Sequence, residues 1–305
     1  MIKLLVCILA AISISAQSAE TISINSPYGA NHPGHTAMHK IISTANAQQN
    51  DYNFILELRP GGEQLIAVKY MDEQPQNRLA IIAAKFVENV STGKLNKDNY
   101  KPIWVLGDAC WPVITNVGDE TKGVSSLKGL SELVVGGVGF GNASHLTALQ
   151  MGEKYGFQVR YIPFKTAVDA TMLMASDNSI NMVIDRYHMY EQMKTKNLKL
   201  KVLAMSCPTR VPEAPNIPTL QEQGIVAPYI FNMIIANKNM SVERQKEMAD
   251  VLTRATQTVG LKEIQQASDM RPPQFDNISA TAYFDKTFRN IDQLLKKHAN
   301  QIPAH

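Results

Sequence analysis

The chain is poor in cysteine, in net charge and in long apolar runs. It has 3 cysteines in 305 residues, too few for a disulfide framework, and Cys7 lies in the first apolar stretch. That leaves Cys110 and Cys207, which in an oxidising compartment either bond to each other or stay as two buried thiols. The formal net charge is only +3, one lower without Lys3, and the basic residues are scattered and not striped, which argues against a nucleic-acid partner. Beyond the first residues no uninterrupted apolar run is long enough to cross a bilayer. No internal repeat, low-complexity tract or flexible linker is present. Signatures of catalysis are missing too. There is no Gly-x-Ser-x-Gly elbow, spacing suggests no acid pair, and no glutamate stands beside His35 to make a zinc-protease motif. The sequence is not expected to encode an enzyme, or to call for a cofactor.

What is present begins with an export leader. Lys3 precedes an almost wholly apolar stretch from Leu4 to Ile14, and Ala16-Gln17-Ser18 offers small residues for cleavage before Ala19. Residues 1–18 therefore read as a signal peptide, too short to span a membrane as a mature helix. Bulky Leu5 and Val6 ahead of Cys7 argue against a lipid-attachment site. The mature length exceeds one ordinary domain and suggests two.

Along that mature chain, short apolar runs alternate with amphipathic stretches. The runs predict strands at Ile22–Asn25, Phe54–Leu58, Leu79–Ala83, Ile103–Leu106, Val113–Asn116, Leu133–Gly136, Val159–Ile162, Met182–Asp185, Lys201–Met205 and Tyr229–Ala236. Helices are predicted between them, and three close the chain, at Val242–Thr258, Leu261–Ser268 and Ala280–Lys297. This β-then-α rhythm predicts an α/β protein with mainly parallel sheets. In such sheets ligands sit beyond the carboxyl ends of strands. Three loops there are glycine-bearing or polar: Ser26 to Thr36, Gly136-Gly137-Val138-Gly139-Phe140-Gly141 before a helix opened by Asn142 and Ser144, and Pro163 to Thr166, where Thr166 is placed to cap the helix from Ala167. The glycine turn is an anion cradle, because glycine lets backbone amides approach a ligand while the helix start attracts negative charge. It lacks the third glycine of a dinucleotide fingerprint and the lysine of a P-loop.

Taken together, Glu57-Leu58-Arg59-Pro60-Gly61-Gly62, the cradle with His145-Leu146, Pro163-Phe164-Lys165, Met182-Val183-Ile184-Asp185, and the run Arg210-Val211-Pro212-Glu213-Ala214-Pro215-Asn216-Ile217-Pro218-Thr219-Leu220-Gln221-Glu222-Gln223-Gly224 resemble the Bug-type substrate-binding proteins of tripartite tricarboxylate transporters. The resemblance covers essentially the whole mature chain in order. It implies a two-lobed, type II-like periplasmic binding protein that closes around a small carboxylate, a di- or tricarboxylate or an aromatic acid. Such a receptor acts as a monomer in the periplasm and hands its solute to integral-membrane permease subunits. Lobe I would comprise residues 19–108 and 217–305, and lobe II residues 109–216. Position by position, the ligand contacts implied are Pro27, Tyr28, Gly29, Ala30, Asn31 and His32 of the first loop; Gly137, Val138, Gly139, Gly141 and Asn142 of the cradle; Phe164; Asp185; and Ala84 at the end of the strand Leu79–Ala83, with Lys85 beside it as a charged contact. Hinges would lie near Gly107–Trp111 and Met205–Arg210, where a Cys110–Cys207 bond would restrain both crossings.

The chain departs from the family pattern in the first loop. Asn31-His32 stand where a glycine pair is usual, His35 where an aspartate is, and His39 where an arginine is. Thr166 replaces a glycine, and Gln76-Asn77-Arg78 replaces Asp-Gly-Tyr. The spacing of His32, His35 and His39 leaves open a second reading, a metal-binding receptor using that cluster. The competing reading has His32 and His35 lining or capping the loop and His39 on the helix surface. Other features carry structural readings: His145 fixing the cradle helix, Glu57 and Arg59 supporting a turn, and the proline run bracing the hinge side.

Overall fold

The computed structural model describes residues 19–187, 190–191, 200–212, 214–268, 270–271 and 279–303. The leader and Glu213 lie outside the described residues. Among the described residues eleven strands form two sheets. The first contains β1 (Glu20–Ser26), β2 (Tyr52–Leu58), β3 (Arg78–Ile82), β4 (Tyr100–Ala109), β10 (Ile230–Asn237) and β11 (Met270–Arg271), in the order β11-β4-β10-β3-β1-β2. The second contains β5 (Pro112–Thr115), β6 (Glu132–Gly137), β7 (Gln158–Pro163), β8 (Met182–Ile184) and β9 (Lys201–Met205), in the order β7-β6-β8-β5-β9.

The α/β architecture is as expected, but the sheets are mixed and not mainly parallel. Strands β1, β2 and β3 run parallel, as do β6, β7 and β8. In contrast β10 is antiparallel to β3 and β4, and β5 to β8 and β9. The physical reason is the crossing: β5 and β10 are the strands by which the chain enters each sheet from the other, so they run against strands fed by local helices. The short β11, too brief to show as a pattern, edges the first sheet beside β4.

Helices α1 (Pro33–Gln48), α2 (Leu65–Asp72), α3 (Ala84–Ser91), α4 (Ala143–Tyr155), α5 (Ala167–Asp177), α6 (Val242–Val259), α7 (Leu261–Ser268) and α8 (Ala280–Lys297) cover the sheets. Central strands are buried on both faces, hence the continuous apolar run Leu79 to Ile82 in β3. One side of the first sheet packs Ile22, Ile24, Met38, Ile41 and Phe54 with α1 and α6, and the other packs Phe86, Met233, Tyr283 and Ile291 with α3 and α8. The second sheet has its own cores, around Val113, Val135, Met151 and Leu203 and around Ile114, Ala170 and Val183.

Leu220 and Ile225 lie in that second core, and Thr219 bridges Met205. The segment from 217 to 225 thus packs with the second sheet and not the first. The chain returns to the first sheet through residues 226–229, where Asn290 of α8 accepts from the Tyr229 amide at 3.0 Å and donates to the Ala227 carbonyl at 3.4 Å. The expected crossing at Met205–Arg210 is therefore displaced to residues 226–229, because the proline segment turns back onto β9 instead of leaving it. Arg210 explains that turn: its guanidinium takes Glu222 through Nε and Nη2, both at 2.9 Å, and the Pro215 carbonyl through Nη1 at 2.9 Å.

Candidate ligand site

Parallel neighbours put loops side by side. At the carboxyl ends of β1 and β3, which pair directly, lie the loop from Pro27 to His32 and the start of α3 at Ala84. In the second sheet β6 pairs with β8, with Gly136 opposite Val183. Continuing that register sets the cradle from Val138 beside Asp185 and Arg186. Phe164 follows β7, and its amide donates to the Gly137 carbonyl at 2.7 Å.

The first loop is built by its histidine. His32 is the N-cap of α1, with Nδ1 accepting from the Gly34 amide at 3.0 Å, and its ring stacks on Tyr28 at 3.9 Å between centroids. Tyr28 donates its hydroxyl to Asn232 on β10. Burial, with Arg186 and His35 adding to it, pulls His32 down to about 4, so it is neutral at physiological pH. An accepting Nδ1 then leaves the proton on Nε2. Burial likewise pushes the Tyr28 phenol far up, against the charge of Arg186 and the Asn232 bond. His35 is half-buried and His39 exposed, and among the described residues no group of three or more His, Cys, Asp or Glu is placed to hold a metal. The three histidines are not gathered into one cluster: the cap engages His32 while His39 faces solvent.

The cradle is more self-contained than glycine content suggests. Asn142 caps α4, its Oδ1 accepting from the His145 amide at 2.9 Å and the Ser144 hydroxyl at 2.8 Å, while its Nδ2 donates to the Val138 carbonyl. His145 Nδ1 accepts from the Gly141 amide at 3.1 Å, and the Leu146 amide reaches Asn142 O at 3.0 Å. Of the first four helical amides, those of Ala143 and Ser144 are the ones left by this capping. Burial, then the charges of His298 and Lys85, lowers His145 to about 4. Tyr161 closes the floor. Its hydroxyl lies 2.8 Å from Ser144 Oγ, and burial pushes it up to about 12.

Across from the cradle stands α3 of the first sheet. Lys85 Nζ donates to the Phe140 carbonyl at 3.0 Å and pairs with Glu88 at 2.6 Å and Glu63 at 3.1 Å. A side chain at Gly141 would approach Glu88 Oε2 at 3.0 Å. Glu63 is held there by left-handed backbone running from Gly61 to Gln64, with φ of 104°, 52°, 51° and 79°, strain of a kind concentrated at functional loops. Lys85 was expected as a ligand contact, yet its charge is already matched by two carboxylates. The two sheets' loops thus meet at a shared edge. Two cavities, of ≈ 710 Å³ beside the ends of α4 and α8 and ≈ 520 Å³ beside the start of β1 and α6, lie away from that edge.

Arg186 was missed by the sequence reading, which stopped at Asp185. A charged pair directly after the apolar strand was the available signal. Its Nε is 3.6 Å from Asp185 Oδ1, and its field reaches both Tyr28 and His32 of the opposite sheet. Glu88 and Tyr161, too, carried no sequence signal.

Cys110 and Cys207 are joined by a disulfide, with Cα atoms 4.9 Å apart. Beside it the Trp111 amide donates to Ser206 Oγ at 2.8 Å, and the Ser206 amide to the Trp111 carbonyl at 2.8 Å. Among the described residues no helix is long and apolar enough to cross a membrane.

Comparison with known proteins follows the same lines. The family model described as tripartite tricarboxylate transporter family receptor matches residues 124–299. No curated protein sequence matches the chain. Among solved structures, the fold is similar to a TctC solute-binding protein from Polaromonas, with a TM-score of 0.73, 19% identity, and coverage of 91% of this chain and 98% of that one. The periplasmic binding protein BugD gives a TM-score of 0.67 and 17% identity over 92% of this chain and 97% of its own. MatC from Rhodopseudomonas palustris, solved with malate, gives 0.68 and 14% over 91% and 98%.

Proposed function

Because the chain belongs to the receptors of the tripartite tricarboxylate transporter family, we propose that it captures a small carboxylate between two closing lobes in the periplasm and delivers it to membrane permease subunits. Lobe I in this reading is the first sheet with its helices, and lobe II the second sheet together with residues up to about 225. The family and fold are those of substrate-binding receptors and not of enzymes. The observation that carries the reading is the apposition of strand-end loops from two sheets, fixed by the bond from Lys85 to the Phe140 carbonyl. One carboxylate end of the solute meets the remaining amides of the α4 start, and the loop from Pro27 to His32 closes over the other. Two proteins of this fold were solved with acids, malate and adipate, which sets the size class to try first.

Closure excludes water and strengthens each hydrogen bond to the acid, and the ligand drives it only as far as it prefers the closed form. Titration calorimetry of the mature protein against malate, adipate and a tricarboxylate should reveal micromolar binding of at least one. Heat with none of them, and a thermal midpoint unmoved by millimolar concentrations of each, would remove the carboxylate reading.

A further inference from the structure

Within the proposed carboxylate-receptor reading, on which this step rests, one charge in the cleft has no assigned work. Most cations near the loops are matched at close range. Lys85 holds Glu63, Glu88 and the Phe140 carbonyl, and Arg59 is paired with Glu57 at 2.5 Å and stacked over Tyr70. Arg186 differs. Its ion pair with Asp185 is long, 3.6 Å, which is beyond a hydrogen bond. The residue is half-buried, while Asp185 is almost wholly so. It follows β8 at the end of the second sheet beside the cradle, and its charge acts on both rings of the Tyr28–His32 stack.

We propose that Arg186 is the charged anchor of the cleft, its guanidinium receiving one carboxylate of the solute at the point where the end of β8 opposes the loop from Tyr28 to His32. The planar fork of arginine suits a carboxylate in two parallel hydrogen bonds. The opposite wall is adapted to the same task. His32, neutral with its proton on Nε2, offers a donor and no competing charge, while the Tyr28 ring beneath it excludes water. The loop from Ser26 to Thr36 contains no Asp or Glu, so no carboxylate of its own repels an anion. The cradle amides and the guanidinium are two separate groups suited to a carboxylate, so the favoured solute carries two carboxylates; a monocarboxylate would leave one of them unmatched.

The test uses wild-type protein, Arg186→Gln and Arg186→Lys, each checked for a cooperative melt. Each is titrated with malate, adipate and the corresponding monoamides. The anchor predicts that Arg186→Gln weakens the preferred diacid by about tenfold or more but its monoamide by much less, with partial recovery in Arg186→Lys. The His32 imidazole, followed by NMR, should titrate higher in Arg186→Gln once the neighbouring charge is gone. If wild type binds a diacid and Arg186→Gln binds it equally, the anchor is wrong and the receptor reading stands. Equal loss for diacid and monoamide also overturns the anchor. If wild type binds no acid, the receptor reading fails, and the anchor with it; an unmoved His32 titration would then show independently that Arg186 does not face the loop.

Discussion

A single imidazole shows how far one side chain can set the properties of a loop. His145 was read from sequence as a packing residue for the cradle helix, and its Nδ1 in fact takes the Gly141 amide that glycine content alone would have assigned to a ligand. Holding that bond requires the neutral ring. The folded value of about 4 lies below the ordinary 6.5, so His145 contributes stability above the ordinary value. That contribution is lost as pH falls from 6.5 toward 4. Thermal midpoints between neutral pH and about 4 should therefore drop more steeply in wild type than in His145→Gln, which keeps an acceptor but cannot charge. Because His32 is common to both proteins, the difference isolates His145. Parallel curves would mean that the ring does not hold the amide. At this scale sequence was informative where a residue type has one use, as with Thr166, which caps α5 through the Asp169 amide. It was silent on Arg186 and Glu88, whose roles depend on what the other sheet brings to them.

The strand-turn-helix unit of β6 and α4 was legible almost in full, since aliphatic residues, glycines and an Asn cap each act through local backbone physics. Its floor was not legible, because Tyr161 arrives from β7. A Cβ at Gly137 would lie 2.1 Å from the Tyr161 hydroxyl and 2.8 Å from Ser144 Oγ. Glycine at this position is thus a packing requirement and not a matter of φ. Gly137→Ala must push Tyr161 and Ser144 out of their shared hydrogen bond, with an expected cost of about 1–3 kcal/mol from overpacking. Denaturant melts should show that loss, and the double variant Gly137→Ala with Tyr161→Phe should recover part of it, since the clashing oxygen is gone. No recovery would place the strain elsewhere. Antiparallel β5 and β10, by contrast, could not be told from parallel strands by composition, because both are buried on two faces and read as the same apolar run.

For the molecule as a whole, sequence showed two cysteines and the resemblance gave them a place near two crossings. The fold separates those roles. The disulfide and the two hydrogen bonds between Trp111 and Ser206 tie the start of β5 to the end of β9, and both strands belong to the second sheet. The second crossing runs through residues 226–229 and is held by Asn290 instead. A bond that ties the first crossing to the second sheet restrains the unfolded chain more than it restrains the second crossing. The two cysteines are 97 residues apart in sequence; chain entropy alone gives about 4.7 kcal/mol for a loop near that size, and disulfides typically deliver about 2–4 kcal/mol. Cys110→Ser with Cys207→Ser should therefore lower stability by roughly that amount while changing diacid affinity less than about threefold, which is under 1 kcal/mol. Asn290→Ala should do the reverse, costing little in the melt but altering the association and dissociation rates of the solute, because it loosens the segment that must bend. Stopped-flow binding and denaturant unfolding on the two variants separate the cases. If the serine variant loses affinity at unchanged stability, the bond governs closure, and the pivot lies at Cys110 and not at residues 226–229.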